Sequence, residues 1–129
     1  MEFLNIEKVK NISSIGGGPI GGGWTAFFLS KGYNVKSYLH EPKEKKMFMQ
    51  IVRTAWKSLK KLGLTKNASL NNLSVTCDLK KSLEGSHFVQ ESAPEKLELK
   101  QDLYYEMGEI LPKNIITVSY THLTLPTKA

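Results

Sequence analysis

Six glycines fall within eight residues of the chain, Gly16-Gly17-Gly18-Pro19-Ile20-Gly21-Gly22-Gly23. A run this poor in side chains cannot build a core of its own, so it must serve a turn and a close approach of backbone to something else. It follows Asn11–Ile15, a short apolar-leaning run suited to a buried strand. It opens Ile20–Lys31, which reads as a helix with Ile20, Trp24, Phe27 and Phe28 at spacings of three and four. Pro19 suits the first turn, where its missing N–H costs no helical hydrogen bond, and Gly32 suits the stop. Within that strand–turn–helix frame Gly16, Gly18 and Gly21 fit G-x-G-x-x-G. Each glycine then has a task. Gly16 permits the tight turn, Gly18 lets a pyrophosphate reach the backbone, and Gly21 lets helix and sheet pack closely. The helix start adds partial positive charge and free N–H groups, although Pro19 supplies no donor. No Gly-Lys-Ser/Thr follows, which excludes a Walker A loop.

The rest of the chain alternates strand and helix. Asn34–Leu39 reads as a second strand, with Pro42 helping to end it. Lys43–Leu62 reads as a helix whose stripe is Phe48, Ile51, Val52, Ala55, Trp56, Leu59 and Leu62, stopped by Gly63. Leu64–Asn72 reads as a polar loop, Leu73–Cys77 as a strand, Leu79–Glu84 as a short helix and Ser86–Gln90 as a strand. A charged helix over Glu95–Leu111 and a fifth strand beginning at Asn114–Thr117 complete the order. Such alternation predicts an α/β fold: a Rossmann-type, doubly wound parallel sheet with right-handed crossovers. About five strands leave it short of a second nucleotide-binding half.

Charge and cysteine content narrow the function classes. Lys43, Lys45, Lys46, Arg53, Lys57, Lys60 and Lys61, against Glu44 alone, carry an excess equal to the whole chain's net charge of +6. Lysines opposite the apolar stripe of one helix read first as a solvated face. An anionic ligand such as a CoA phosphate, and nucleic acid, are the other readings of that face. The single cysteine, Cys77, forms no internal disulfide and has no Cys or His neighbour at ligand spacing, so no metal site is expected. No apolar stretch reaches bilayer length, and the N-terminus lacks the pattern of a signal peptide. A cytoplasmic protein with no membrane partner is the expectation.

A dinucleotide fold usually places an acid about 20 residues beyond the glycines, at the end of the second strand, to hold the adenine ribose 2′-OH. That strand end here is Leu39, His40 and Glu41. Glu41, 20 residues after Gly21, is the candidate. An exposed loop glutamate is its plainer reading. A 2′-phosphate would call for arginine, which is absent there, so NAD is favoured over NADP.

Three stretches carry a resemblance. They are Gly16–Trp24, the run Ala55-Trp56-Lys57-Ser58-Leu59-Lys60-Lys61-Leu62-Gly63-Leu64, and Phe88-Val89-Gln90-Glu91-Ser92-Ala93-Pro94-Glu95. From about Val9 to Thr117 the chain resembles the L-carnitine 3-dehydrogenases, a family within the 3-hydroxyacyl-CoA dehydrogenase superfamily. The Gln90–Glu95 stretch is its most specific part. The resemblance implies hydride transfer between a 3-hydroxy carbon and the nicotinamide of NAD, in a homodimer acting on a small 3-hydroxy substrate. It implies that Gly16, Gly18, Pro19, Ile20, Gly21, Ala93, Glu95 and Lys100 line the cofactor, with Glu95 and Lys100 on the nicotinamide-ribose side. An ordinary charge pair at a helix start is the plainer reading of those two. At the strand-end acid the family has Asp where this chain has Leu39. The family's catalytic histidine–glutamate pair matches none of His40, His87 or His122, so no catalytic residue is assigned, and the chain by itself is expected to bind cofactor without turnover. The short helical insert after the second strand favours a small free substrate over an acyl-CoA.

After Thr117 the resemblance stops. Val118–Ala129 is similar to a translated sequencing adapter, and a non-native tail is the expectation there, with 1–117 forming a truncated NAD-binding domain. The C-terminal helical domain of the family is expected to be missing. Two enzyme alternatives stay open: a 3-hydroxybutyryl-CoA or general 3-hydroxyacyl-CoA dehydrogenase, and an L-gulonate 3-dehydrogenase. A non-catalytic nucleotide-binding or basic nucleic-acid-binding module is the alternative from another class.

Overall fold

The computed structural model describes residues 9–92, 105–110 and 116–119. Five strands, β1 (Asn11–Ile15), β2 (Asn34–Tyr38), β3 (Leu73–Thr76), β4 (Phe88–Glu91) and β5 (Ile116–Ser119), form one sheet in the order β3-β2-β1-β4-β5. Every neighbouring pair is parallel. The helices are α1 (Pro19–Ser30), α2 (Lys45–Leu62), α3 (Leu79–Leu83) and α4, described over 105–110. The doubly wound sheet expected from the alternation is therefore present.

The order explains where a ligand can bind. From β1 the chain moves outward to β2 and β3, then crosses back to β4 on the other side of β1. Right-handed crossovers in opposite directions put their helices on opposite faces of the sheet. One face buries Ala26, Leu29, Val35, Leu39, Phe48 and Val52 beneath α1 and α2. The other buries Ile15, Leu79, Leu83, Val89 and Met107 beneath α3 and α4. The carboxyl ends of β1 and β4 thus feed connections that part to opposite faces, leaving a crevice between them.

Two apolar faces differ from the sequence expectation. Ile20, Trp24 and Phe27 do not form the core side of α1; each is about 40% exposed. The buried side is Gly21, Gly22, Thr25, Ala26, Leu29 and Ser30. Small residues win because α1 lies close to both β1 and α2, where a Cβ on Gly22 would stand 2.5 Å from Ile51 Cγ2. The displaced aromatics stack among themselves instead, Trp24 on Phe28 at 5.7 Å between centroids. In α2, Phe48 and Val52 are buried as the stripe requires, but Leu62, at the last turn, is 85% exposed. The stripe runs past the end of the surface it covers.

Close approach also accounts for the serines in the sheet. Ser13 and Ser14 of β1 and Ser37 of β2 are fully buried. The Thr25 hydroxyl of α1 donates to Ser14 Oγ at 3.0 Å and lies 3.2 Å from Ser37 Oγ. On the other face Ser13 bonds the Ser82 carbonyl and the Ser86 hydroxyl. Burying a hydroxyl is tolerated when it is hydrogen-bonded, and these short side chains let the helices sit low on the strands.

The remaining differences lie at element ends. The loop expected over Leu64–Asn72 carries a single 3-10 turn at Leu70–Asn72. The fifth strand is described from Ile116, its expected start at Asn114 lying outside the described residues, and it continues past Thr117, pairing Gln90 with Val118 and Glu91 with Ser119. Any extended backbone offers that pairing, so it speaks for the strand's length and not for the origin of the residues.

Candidate dinucleotide-binding site

The glycine run sits at the carboxyl end of β1, at the crevice. Gly16 leaves the strand with φ of +130°, a region that side chains avoid, and its N–H donates to the Tyr38 carbonyl at 3.0 Å. That bond ties the turn to the end of β2. A Cβ on Gly21 would stand 2.2 Å from the Gly16 carbonyl oxygen, so the helix rests directly on the turn. Gly18 caps α1 in an extended conformation with no side-chain cap, and a Cβ there would meet nothing within 4 Å. The first glycine turns, the third packs, and the second faces open space. This is the division of labour the sequence predicts for the three positions.

What can occupy that space follows from the amides. The first helical bond runs from the Gly22 N–H to the Gly18 carbonyl at 2.9 Å. Helix geometry leaves the amides of Gly18, Ile20 and Gly21 without intrahelical acceptors, and Pro19 contributes none. No acidic residue lies in the first turn. Helix-start amides without intrahelical acceptors and an uncompensated helix dipole favour an anion such as a pyrophosphate. The residues present therefore fit a dinucleotide cofactor.

At the ribose side the structure separates the strand-end residues. Leu39 is fully buried among the residues beneath α1 and α2, and a Cβ on Gly17 would stand 2.8 Å from its Cδ2. Glu41, about half exposed, caps a single 3-10 turn over Pro42–Glu44. Its carboxylate accepts from the Glu44 N–H, while the Glu44 Oε2 accepts from the Glu41 N–H at 2.8 Å. Lys43 Nζ also reaches Glu41 Oε2 at 3.0 Å, and this hydrogen bond and the charge behind it hold the Glu41 carboxyl below its ordinary range. Glu44 is the neighbour of the glycine loop, its Oε1 3.7 Å from where a Gly17 Cβ would be. Beside them, Tyr38 has its phenol pushed above the ordinary value, first by burial and then by the charges of Glu106, Cys77 and Glu44.

Sequence reasoning passed over two acids of this region. In the sequence Glu44 stands out only as the lone acid of a basic segment. Glu91, the last residue of β4, is fully buried and stands in register with Ile15 at the switch point. The Ser92 N–H donates to the Ile15 carbonyl at 2.7 Å, fixing the chain as it leaves the sheet. A single charged residue, whether in a turn like Glu44 or at a strand end like Glu91, carries no periodic signal, which is why neither stands out. Ala93, Glu95 and Lys100 lie outside the described residues. His87 Nδ1 accepts the N–H groups of Lys10 and Asn11, at the opposite end of the sheet from the glycines. Among the described residues no group of three His, Cys, Asp or Glu is placed to hold a metal ion.

Residues 11–128 match the family model described as 3-hydroxyacyl-CoA dehydrogenase, NAD binding domain. The chain belongs to this family. It is 40% identical over 115 residues, 89% of its length, to an L-carnitine dehydrogenase of Streptomyces coelicolor, and 39% identical over the same length to that of Streptomyces griseus. It spans 36% and 34% of those two relatives, about a third of each. Among solved structures, the 3-hydroxybutyryl-CoA dehydrogenase of Escherichia coli K12 superposes with a TM-score of 0.74 at 25% identity, over 90% of this chain and 25% of that one. The chain is thus an NAD-binding, Rossmann-type domain of a family of dehydrogenases, as its glycine frame predicts. Among the described residues no helix is long and apolar enough to cross a membrane.

Proposed function

We propose that this domain holds NAD for an enzyme that oxidises a small, carnitine-like 3-hydroxy acid. The observation that carries the reading is the glycine loop at the switch point, with open space over Gly18 at a helix start that has no side-chain cap. The cofactor supplies hydride acceptance when bound. The chain's own residues bind and orient it. The Gly18, Ile20 and Gly21 amides take the pyrophosphate, and Gly16 and Pro19 fix the loop that presents them. An acid of the Glu41–Glu44 turn meets the adenine ribose, while Ala93, Glu95 and Lys100 serve the nicotinamide-ribose side. The L-carnitine dehydrogenases among the relatives support the substrate class. Substrate binding, proton abstraction and homodimer formation belong, on this reading, to the rest of a cytoplasmic full-length enzyme. Residues 118–129 are read as a non-native tail, and nucleic acid is not a partner.

Sequencing of the source DNA through the Thr117–Val118 junction, followed by assay of the encoded protein, tests this. The expected result is reading frame continuing into a second domain and NAD reduction with L-carnitine. Reduction driven by 3-hydroxybutyryl-CoA or L-gulonate instead would transfer the assignment to one of those substrates. Genomic codons for Val118–Ala129 followed by a stop would contradict the truncation.

A further inference from the structure

We infer that Glu44, not a residue at the strand end, recognises the adenine ribose and sets the preference for NAD over NADP. The inference rests on the reading of the glycine loop as a dinucleotide site. The position at which the resembling family has Asp is filled here by Leu39. Its side chain is wholly buried under Gly17 and offers no acceptor. Ribose hydroxyls brought to this loop still need a hydrogen-bond acceptor, because a desolvated hydroxyl without a partner weakens binding.

Two carboxylates, Glu41 and Glu44, follow the strand end, and their surroundings differ. Glu41 is taken up by the Glu44 N–H and by the Lys43 ammonium, and its side chain is about half exposed. Glu44 has one oxygen, Oε2, fixed by the Glu41 N–H at 2.8 Å. Its other oxygen, Oε1, lies against the glycine loop, 3.7 Å from where a Gly17 Cβ would be. A carboxylate pinned at one oxygen and directed at the loop with the other is arranged to accept from a ribose hydroxyl. The absence of a side chain on Gly17 keeps the space between them clear. The same negative charge repels a 2′-phosphate, which gives discrimination as well as affinity. The chain thus moves the ribose acid from the strand end to the turn that follows and gives the vacated position to the core.

The test is the ratio of the NADPH and NADH dissociation constants, measured by titration of the 129-residue chain and its variants. Glu44→Gln keeps the capping hydrogen bond, since glutamine serves at that cap position as glutamate does. It removes only the charge. The expected result is NADH binding weaker by about tenfold and a ratio that falls towards one, with the thermal midpoint little changed. Glu44→Lys should carry the preference over to NADPH. A merely structural role would weaken both nucleotides together and leave the ratio where it was. That outcome, or a ratio that moves in Glu41→Gln and not in Glu44→Gln, would overturn the assignment to Glu44 while the dinucleotide reading stands. Wild-type chain that binds neither nucleotide would overturn both.

Discussion

Glycines that look alike in the sequence differ in what surrounds them, and substitution should separate them. Gly18→Ala adds a methyl to open space at an allowed backbone conformation. Its thermal midpoint should match wild type, yet the methyl occupies the path of the pyrophosphate, and NADH affinity should fall by about tenfold or more. Gly21→Ala drives a Cβ to 2.2 Å from the Gly16 carbonyl oxygen, so it should lose stability, by about 2 kcal/mol or more, along with binding. Calorimetric melting beside nucleotide titration checks both. Tyr38 gives a pH signature. Its phenol is raised above 10.0 in the fold, so it adds stability that is present below that value and lost as pH rises through the folded value. Tyr38→Phe should flatten the fall of stability above about pH 10, as read from denaturant midpoints across that range. The turn at Gly16 and the close packing at Gly21 were legible in the sequence because spacing and frame encode them. The ribose acid was not, because which of two glutamates faces the loop depends on how the Pro42–Glu44 turn folds back, and that is set by a reciprocal pair of hydrogen bonds.

At the scale of elements, α1 shows where periodicity misleads. Its large apolar residues recur at helical spacing, yet the helix buries Gly21, Gly22, Thr25, Ala26, Leu29 and Ser30. The contact with α2 leaves no room for anything larger. Gly22→Ala should therefore lower stability, because its Cβ would stand 3.1 Å from Ile51 Cβ and closer still to Cγ2. Gly23→Ala meets nothing within 4 Å and should raise stability by about 0.5–1 kcal/mol through helix propensity. Opposite signs from adjacent glycines would be read from urea midpoints; equal signs would contradict the packing described. The α2 helix was more readily legible, since its core contacts come from large residues at regular spacing. Its terminator was legible too: Gly63 takes φ of +109° beyond the last turn. Strand ends were less so. β5 runs past Thr117 to Ser119 because pairing with β4, a long-range condition, decides how far it extends.

At the scale of the molecule, strand–helix alternation determined the sheet, and the crossing from β3 to β4 placed the crevice beside β1. The net charge of +6 told less than it promised, for it belongs largely to one helix whose other side is core. The central claim is that the crevice end of this chain binds NAD through its glycine loop, and it is tested most directly by titrating NADH into the wild-type chain and into Gly18→Ala at two salt concentrations. The account predicts one NADH per chain for wild type, weakened in Gly18→Ala, with no comparable binding of duplex DNA. Wild type that ignores NADH but binds DNA with strong salt dependence would contradict it and give the basic face of α2 the leading role.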